Sequence, residues 1–468
     1  MKGICIRDLA RITSGKLQLG RMPPLGGDLD PVGRIVIDSR QVTPGDIFWG
    51  LTGRYHDGAK FAEEAFSRGA SGIVVAGRYV EPWAGKFSLL VEDSNWALWQ
   101  LACAVRSRFC GRVIAITGDG PQAALRQMIM TMLSTYFSGS ASWIDPQERT
   151  SLPFAMLDLS PEHEFALLEM PPGPFGEIHA QSHLCQPQIG VINCHAISRT
   201  KESSFDDVQM RGQQELLSGL PRDGWAILSR ELPSLKRAAT YLKANVLWTG
   251  CGADADLVAE HVTCRNGALE FTVGDARFCV PNAGRQDLNA ALTAYAVGRV
   301  MELTPWEIRM GLANYQGVAG CRNVMRTLGY TFINDLANAD TKGTLVALDF
   351  LRDFETVGKR IVVLGDLDET EAADKRMLKL VGESVVARCG ADWLITCGEK
   401  SAEIHAAAKN AGMLGERAIH CESVEATKNL VKQIINEDDV LLVKGKPTLE
   451  LQGVIDSLSQ RSARRFAA

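Results

Sequence analysis

Residues 113–133, VIAITGDGPQAALRQMIMTML, read as three pieces: an apolar strand, the glycine-marked turn TGDGPQAA (117–124), and an amphipathic helix. A strand, tight turn and helix in that order is the setting in which a P-loop cradles phosphates. Such a loop needs glycines so that backbone N–H groups can wrap the anion, a lysine for the β/γ oxygens, and a Ser or Thr hydroxyl for Mg²⁺. Thr117 and Gly118 are in place, but Pro121, Gln122 and Ala123 stand where glycine, lysine and hydroxyl belong. The shape of the motif is present and its charge is gone. Pro121 also removes an N–H donor and fixes φ, which deforms an anion nest.

Working outward, short apolar runs alternate with helical patterns along the whole chain. Before the loop, Arg34–Asp38 and Gly72–Ala76 read as strands, and Ala59–Arg68 and Asn95–Arg108 as helices. After it come buried-strand runs at Phe165–Leu168, Ile189–Ile192 and Ala226–Leu228, an antiparallel patch near residues 246–280, and a helix Leu288–Met301. Strand candidates Thr331–Asn334, Arg360–Leu364, Trp393–Thr396 and Val440–Val443 then alternate with helices. Alternation of this kind predicts an α/β protein with doubly wound parallel sheets. The expected division is three domains, 1–111, 112–318 and 319–468.

The 468 residues are 46% hydrophobic and 22% charged, and Lys+Arg 50 against Asp+Glu 55 gives a net charge of -5. No basic stripe is present, which argues against nucleic acid as a partner. No run of 18 apolar residues and no apolar leader is present, so the expectation is a cytoplasmic protein without membrane insertion. The twelve cysteines are scattered from Cys5 to Cys421 with no C-x-x-C pair, so neither a zinc ribbon nor a disulfide framework has its spacing. His179 and His183 are four residues apart but lack the glutamate of an H-E-x-x-H motif.

Several further segments, in order, carry a resemblance. They are DSR (38–40) followed by VTPGDIF (42–48), LTGRYHDGAKF (51–61), LLEM (167–170), GLPRDGWAIL (219–228), Gly284-Arg285, Asn289-Ala290, Cys321-Arg322, NDLANA (334–339), VLGDL (363–367) and LVKG (442–445). Over about 440 residues the chain resembles the Mur ligase family, and within it the branch that adds D-alanyl-D-alanine to a UDP-N-acetylmuramoyl-tripeptide. The resemblance implies three domains: a small N-terminal α/β domain for the UDP-sugar, a central P-loop-type parallel-sheet domain, and a C-terminal Rossmann-like domain. It also implies ATP and Mg²⁺ as cofactors and an acyl phosphate as intermediate.

Residue by residue, the resemblance assigns Asp38, Ser39, Arg40, Asp57 and Gly58 to substrate binding. Thr117, Gly118, Gln122, Asn289, Arg322, Asp335 and Asn338 fall in a vestigial ATP site. Glu169 matches the metal-binding glutamate and Lys444 the lysine of the closing V-K-G, which makes these two the catalytic candidates. The second-metal histidine aligns with Ser198, with His195 nearby, and the carbamylated lysine falls at Gly212 or Gln213. The His-Asn pair that meets the nucleotide becomes Gln286 and Asp287.

Loss of one preorganised donor typically lowers a rate by about 10²–10³, and several are replaced together here. The leading expectation is a catalytically impaired ligase homologue, a pseudoenzyme that binds a UDP-N-acetylmuramoyl peptide or another cell-wall enzyme. One alternative is an active ATP-dependent amide ligase that draws phosphate charge from Arg322, Lys444 or Arg126. The other is a structural subunit of a ligase complex.

Overall fold

The computed structural model of the chain describes residues 3–22, 26–53, 57–118, 122–141, 151–171, 173–193, 211–327, 329–337, 339–368 and 374–458. They form two compact units that alternate along the chain: 1–119, 136–228 and 232–247 in the first, and 120–135, 229–231 and 248–468 in the second. Among the described residues, no helix is long and apolar enough to cross a membrane.

The first unit opens with α1 (Ile6–Ile12), α2 (Ala62–Ser67) and α3 (Ser94–Arg108). They accompany β1 (Lys16–Leu19), β2 (Ile35–Val36), β3 (Ile47–Trp49), β4 (Gly72–Ala76) and β5 (Phe87–Val91), arranged β1-β5-β4-β3-β2. Strands β2 to β5 are parallel, and β1 closes one edge antiparallel. The predicted strand Arg34–Asp38 shortens to two residues because Asp38 turns out of it to cap the next turn. The predicted helix Ala59–Arg68 likewise begins as a 3-10 turn, Gly58–Phe61, before α2.

A second sheet in this unit holds β6 (Arg112–Thr117), β7 (Gly139–Ala141), β8 (Phe165–Glu169), β9 (Ile189–Ile192) and β10 (Trp225–Ser229), in the order β10-β9-β6-β8-β7 and parallel throughout. Strands β8 and β9 are buried at every position, which is why they read as unbroken apolar runs. The helix after β6, α4 (Gln122–Leu133), belongs to the second unit. Helices α5 (Ser151–Leu157), α6 (Glu177–Cys185) and α7 (Pro233–Ala239) belong to the first. Buried Arg106 of α3 donates to the carbonyls of Cys185 at 2.6 Å and Gln186 at 2.8 Å, placing a cation at the negative end of α6.

Strand β11 (Asn245–Gly250) runs from the first unit into the second, where its end pairs with β12 (Leu257–Val258) in parallel. The expected antiparallel patch is the meander β13 (Glu260–Arg265), β14 (Ala268–Val273) and β15 (Ala276–Pro281). Its first turn is Asn266-Gly267, both at positive φ (50° and 76°), as a two-residue hairpin demands. Helices α8 (Leu288–Val300) and α9 (Pro305–Ala313) pack with α4. Thr304 and Glu307 form a capping box at the start of α9 with Pro305 in its first turn. The contact is close because two positions lack side chains: a Cβ on Gly311 would lie 2.8 Å from Met132 Cα, and one on Gly298 2.8 Å from Ile308.

The remaining sheet comprises β16 (Asn323–Thr327), β17 (Tyr330–Asp335), β18 (Arg360–Leu364), β19 (Trp393–Cys397), β20 (Ala418–Cys421) and β21 (Val440–Lys444), in the order β16-β17-β21-β18-β19-β20. Only β16 runs antiparallel. Helices α10 (Thr341–Arg352), α11 (Asp374–Ala387), α12 (Ser401–Asn410) and α13 (Val424–Ile434) supply the crossovers. The last strand in sequence lies between β17 and β18, and such a reversal of strand order opens a crevice at the carboxyl ends. Asp335 and Lys444 both stand at that end.

Candidate functional site

In the second unit, four charged side chains meet at the carboxyl ends of β17 and β21. Asp335 and Lys444 are opposite each other in the register, and Lys444 Nζ lies 2.8 Å from Asp335 Oδ2. The other oxygen, Asp335 Oδ1, accepts the backbone N–H of Arg322 at 3.0 Å. Arg322 then directs its guanidinium to Asp287, Nη1 to Oδ2 and Nη2 to Oδ1, both at 3.1 Å. The two side chains of that pair are 15% and 2% exposed. Burial opposes the charge on Arg322, but the carboxylates of Asp287 and Asp335 more than restore it, so the guanidinium is held charged more firmly than an ordinary arginine.

Arg322 reaches this position from a backbone φ of 52°, the left-handed region, which costs a non-glycine residue roughly 1–2 kcal/mol. Its surroundings fix it there: Cys321 bridges to Val318, the Arg322 N–H is bound by Asp335, and its Cζ lies 5.8 Å from the Phe350 ring centroid. Asp287 is fixed independently, since its Oδ2 also accepts Gly284 N at 2.9 Å and Gln286 Nε2 at 3.1 Å. Asn289 lies two residues further on, in the first turn of α8.

The loop after β6 is described at its two ends. Thr117 is buried and its hydroxyl donates to the Met170 carbonyl at 2.8 Å, while Asn193 N donates to the Thr117 carbonyl at the same distance. Gly118 follows at φ 136°. Glu169 ends β8 beside them, 9% exposed. Gln122 begins α4 and Ala123 follows it. Pro121, His195, Ser198 and Asn338 lie outside the described residues. Among the described residues no three His, Cys, Asp or Glu side chains gather as a metal site. His179 and His183 are engaged locally, His179 Nδ1 with Ser218 Oγ and His183 Nδ1 with the His179 carbonyl.

In the first unit, the substrate-binding candidates form two turns that both pack on α2. Asp38 caps the turn Ser39–Gln41, accepting Arg40 N at 3.0 Å and the Arg40 guanidinium at 2.9 Å on each oxygen. Those bonds hold its carboxyl at about 2, well below the usual range. Buried Ser39 donates to Glu64 Oε2 of α2 at 2.7 Å. Asp57 caps the second turn by accepting Ala59 N at 3.0 Å. Gly58 lies back to back with Gly50, where a Cβ would come within 2.6 Å of the Gly50 carbonyl carbon.

Among the described residues, two of the groups set against a magnesium triphosphate differ from what it needs. At the start of α4 the side chains are an amide and a methyl, and the guanidinium of Arg322 is occupied by a carboxylate of the same chain. The Arg322–Asp287 pair was not legible as a contact in the sequence. Its one signal was an acid, Asp287, in the place of an amide.

A family model described as Mur ligase, glutamate ligase domain, matches residues 323–447. The chain is similar to the UDP-N-acetylmuramoyl-tripeptide–D-alanyl-D-alanine ligase of Escherichia coli, 26% identical over 469 residues that cover 98% of this chain and 99% of that one. The enzyme of the same name from Bacillus subtilis is 26% identical over 428 residues, covering 91% and 92%. Among solved structures, MurF from Acinetobacter baumannii matches with a TM-score of 0.84 at 21% identity, covering 97% of this chain and 98% of that one. MurF ligase from Thermotoga maritima in complex with ADP matches with a TM-score of 0.75 at 20% identity, covering 93% and 99%. At such identities the structures speak for the arrangement of elements.

Proposed function

The chain belongs to the Mur ligase family, on its MurF branch, and from that premise we propose that it binds a UDP-N-acetylmuramoyl peptide, or a partner enzyme of peptidoglycan precursor synthesis, without turning over ATP. The observation that carries this reading is the buried pair Arg322–Asp287: the arginine that would face a terminal phosphate already holds a carboxylate. Gln122 and Ala123 act in the same direction, since neither neutralises a phosphate nor holds a metal. Loss of one preorganised charge-stabilising donor costs about 10²–10³ in rate, and such losses do not simply multiply. The preserved turns at Asp38–Arg40 and Asp57–Gly58 support the sugar-nucleotide half of the proposal. Three domains, 1–111, 112–318 and 319–468, are the corresponding division of labour.

A second reading is favoured by whole-length likeness to chains named as ligases: a working D-alanyl-D-alanine-adding enzyme. It would keep Glu169 and Lys444 in their roles and take phosphate charge from Arg126 or from Arg322 freed of Asp287.

Calorimetric titration of the full chain with Mg-ATP and, separately, with UDP-N-acetylmuramoyl-tripeptide divides the two. Binding of the sugar nucleotide without binding of Mg-ATP is the expected result. Micromolar Mg-ATP binding with phosphate release on adding D-alanyl-D-alanine would establish the second reading instead. Silence towards both leaves a structural subunit.

A further inference from the structure

We infer that Asp287 is a built-in anion, a positioning residue whose carboxylate takes on Arg322 the place of an external phosphate oxygen. In doing so it keeps β16 and β17 docked on the β13–β15 meander with no nucleotide bound. The inference rests on the reading above only in taking Arg322 for the arginine that a nucleotide would meet.

Three observations carry it. The first is geometry: both terminal nitrogens of Arg322 face the two oxygens of Asp287 at equal distances of 3.1 Å, the parallel fork by which arginine holds carboxylate or phosphate alike. The acceptor is prepared in advance, because Gly284 N and Gln286 Nε2 fix Asp287 Oδ2 from its own turn.

The second is charge. Asp287, Arg322, Asp335 and Lys444 are two carboxylates and two cations, so the group is neutral as it stands. A phosphate approaching Arg322 would have to displace a carboxylate that is 2% exposed and lies against the same nitrogens.

The third is what surrounds the pair. The turn Asn266-Gly267 is held without an opposing charge: the Arg326 guanidinium donates through Nη2 to the neutral Asn266 carbonyl at 2.8 Å, Glu355 N to Asn266 Oδ1 at 3.0 Å, and Asn266 N to the Asp353 carbonyl at 3.2 Å. Val324 N donates to Asn282 Oδ1 at 3.2 Å, and a Cβ on Gly267 would come within 2.8 Å of Phe354 and Val324. Among the described residues, the ion pairs on this face are the surface pair Arg265–Glu355 and the buried pair Arg322–Asp287. Each of these bonds joins two protein groups.

Hydrogen exchange of the full-length protein, with inorganic pyrophosphate as the probe, tests this. Asp287→Asn keeps an oxygen for Gly284 N but removes the charge. It should exchange roughly tenfold faster in 262–273 and 323–327, bind pyrophosphate by calorimetry where the natural chain does not, and recover slow exchange when pyrophosphate is added. Rescue by an added anion is a response that a purely structural role would not give. Asp287→Asn combined with Arg322→Gln should exchange fast and ignore pyrophosphate.

Unchanged exchange in Asp287→Asn, absence of pyrophosphate rescue, or equal pyrophosphate binding by the natural chain each overturns the inference. Should Asp287→Asn not fold, the natural chain decides: its exchange at 321–335 should be indifferent to millimolar pyrophosphate, and protection there would overturn the inference. Mg-ATP binding by the natural chain with no change at 321–335 would count against the proposed function while leaving Asp287 in its role.

Discussion

Asp335 and Lys444 are partners across the last rung of β17 and β21, joined at 2.8 Å with 7% and 1% of their side chains exposed. A buried pair of this kind owes its standing to both members, because a single charge left without its counterion bears the whole desolvation cost. Lys444→Met should therefore destabilise the protein by about 3–5 kcal/mol, and Asp335→Asn combined with Lys444→Met by clearly less than the two single losses added. Urea unfolding of the three variants checks this; strict additivity would mean that the two groups do not depend on each other.

The approach of α9 to α4 depends on Gly311, whose missing Cβ leaves room for the backbone of Met132. Backbone cannot move aside as a flexible side chain can. Gly311→Ala should lower stability by about 1–3 kcal/mol through overpacking, read as a lower urea midpoint with an unchanged slope. A variant as stable as the natural chain would show that the two helices tolerate separation.

Asp38 should stay ionised under acid conditions that protonate an ordinary aspartate. Its carboxyl is lowered from 3.8 to about 2 by the Arg40 side chain and backbone N–H. A depressed acid contributes stability in full above its unfolded value and loses it as pH falls through the folded one. The turn Ser39–Gln41 should accordingly persist at pH 4 and open only as the pH drops towards 2. Carboxyl-carbon NMR titration reads this directly, and Asp38 titrating at the ordinary value would contradict the capping geometry.

Restoring Gln122→Lys together with Ala123→Thr should not produce phosphate release from Mg-ATP in the presence of the tripeptide nucleotide and D-alanyl-D-alanine. Arg322 would still be held by Asp287, and neither Gly212 nor Gln213 can carry a carbamate. Turnover at a ligase-like rate from this double change would show that the loop alone silences the chain.

Much of the fold was legible because parallel strands buried on both faces leave plain runs: Phe165–Glu169, Ile189–Ile192, Arg360–Leu364 and Val440–Lys444 are all strands in the structure. Short strands such as Lys16–Leu19 and Gly139–Ala141 escaped, since the first alternates over four residues only and the second is three small residues with no alternation. Of the candidate site, Asp38 and Asp57 stood out through the resemblance alone; Asp38 read as the end of a strand, and in the structure both residues cap turns. Contacts made across long stretches of chain were not: no local pattern at Asp287 points 35 residues ahead to Arg322. The left-handed φ of Arg322 is invisible for the same reason, being imposed by Asp335 and by the bridge at Cys321 rather than by residue type.

Helix α4 ends at Leu133, whereas its packing partner α8 begins only at Leu288. During synthesis the apolar side of α4, with Leu125, Met128, Ile129 and Met132, must therefore leave the ribosome long before the surface that covers it exists. A nascent chain halted within that interval carries an uncovered greasy helix, which makes it a natural client for a holding chaperone. Fragments that stop short of α8 should accumulate in inclusion bodies, however well their sheets are formed.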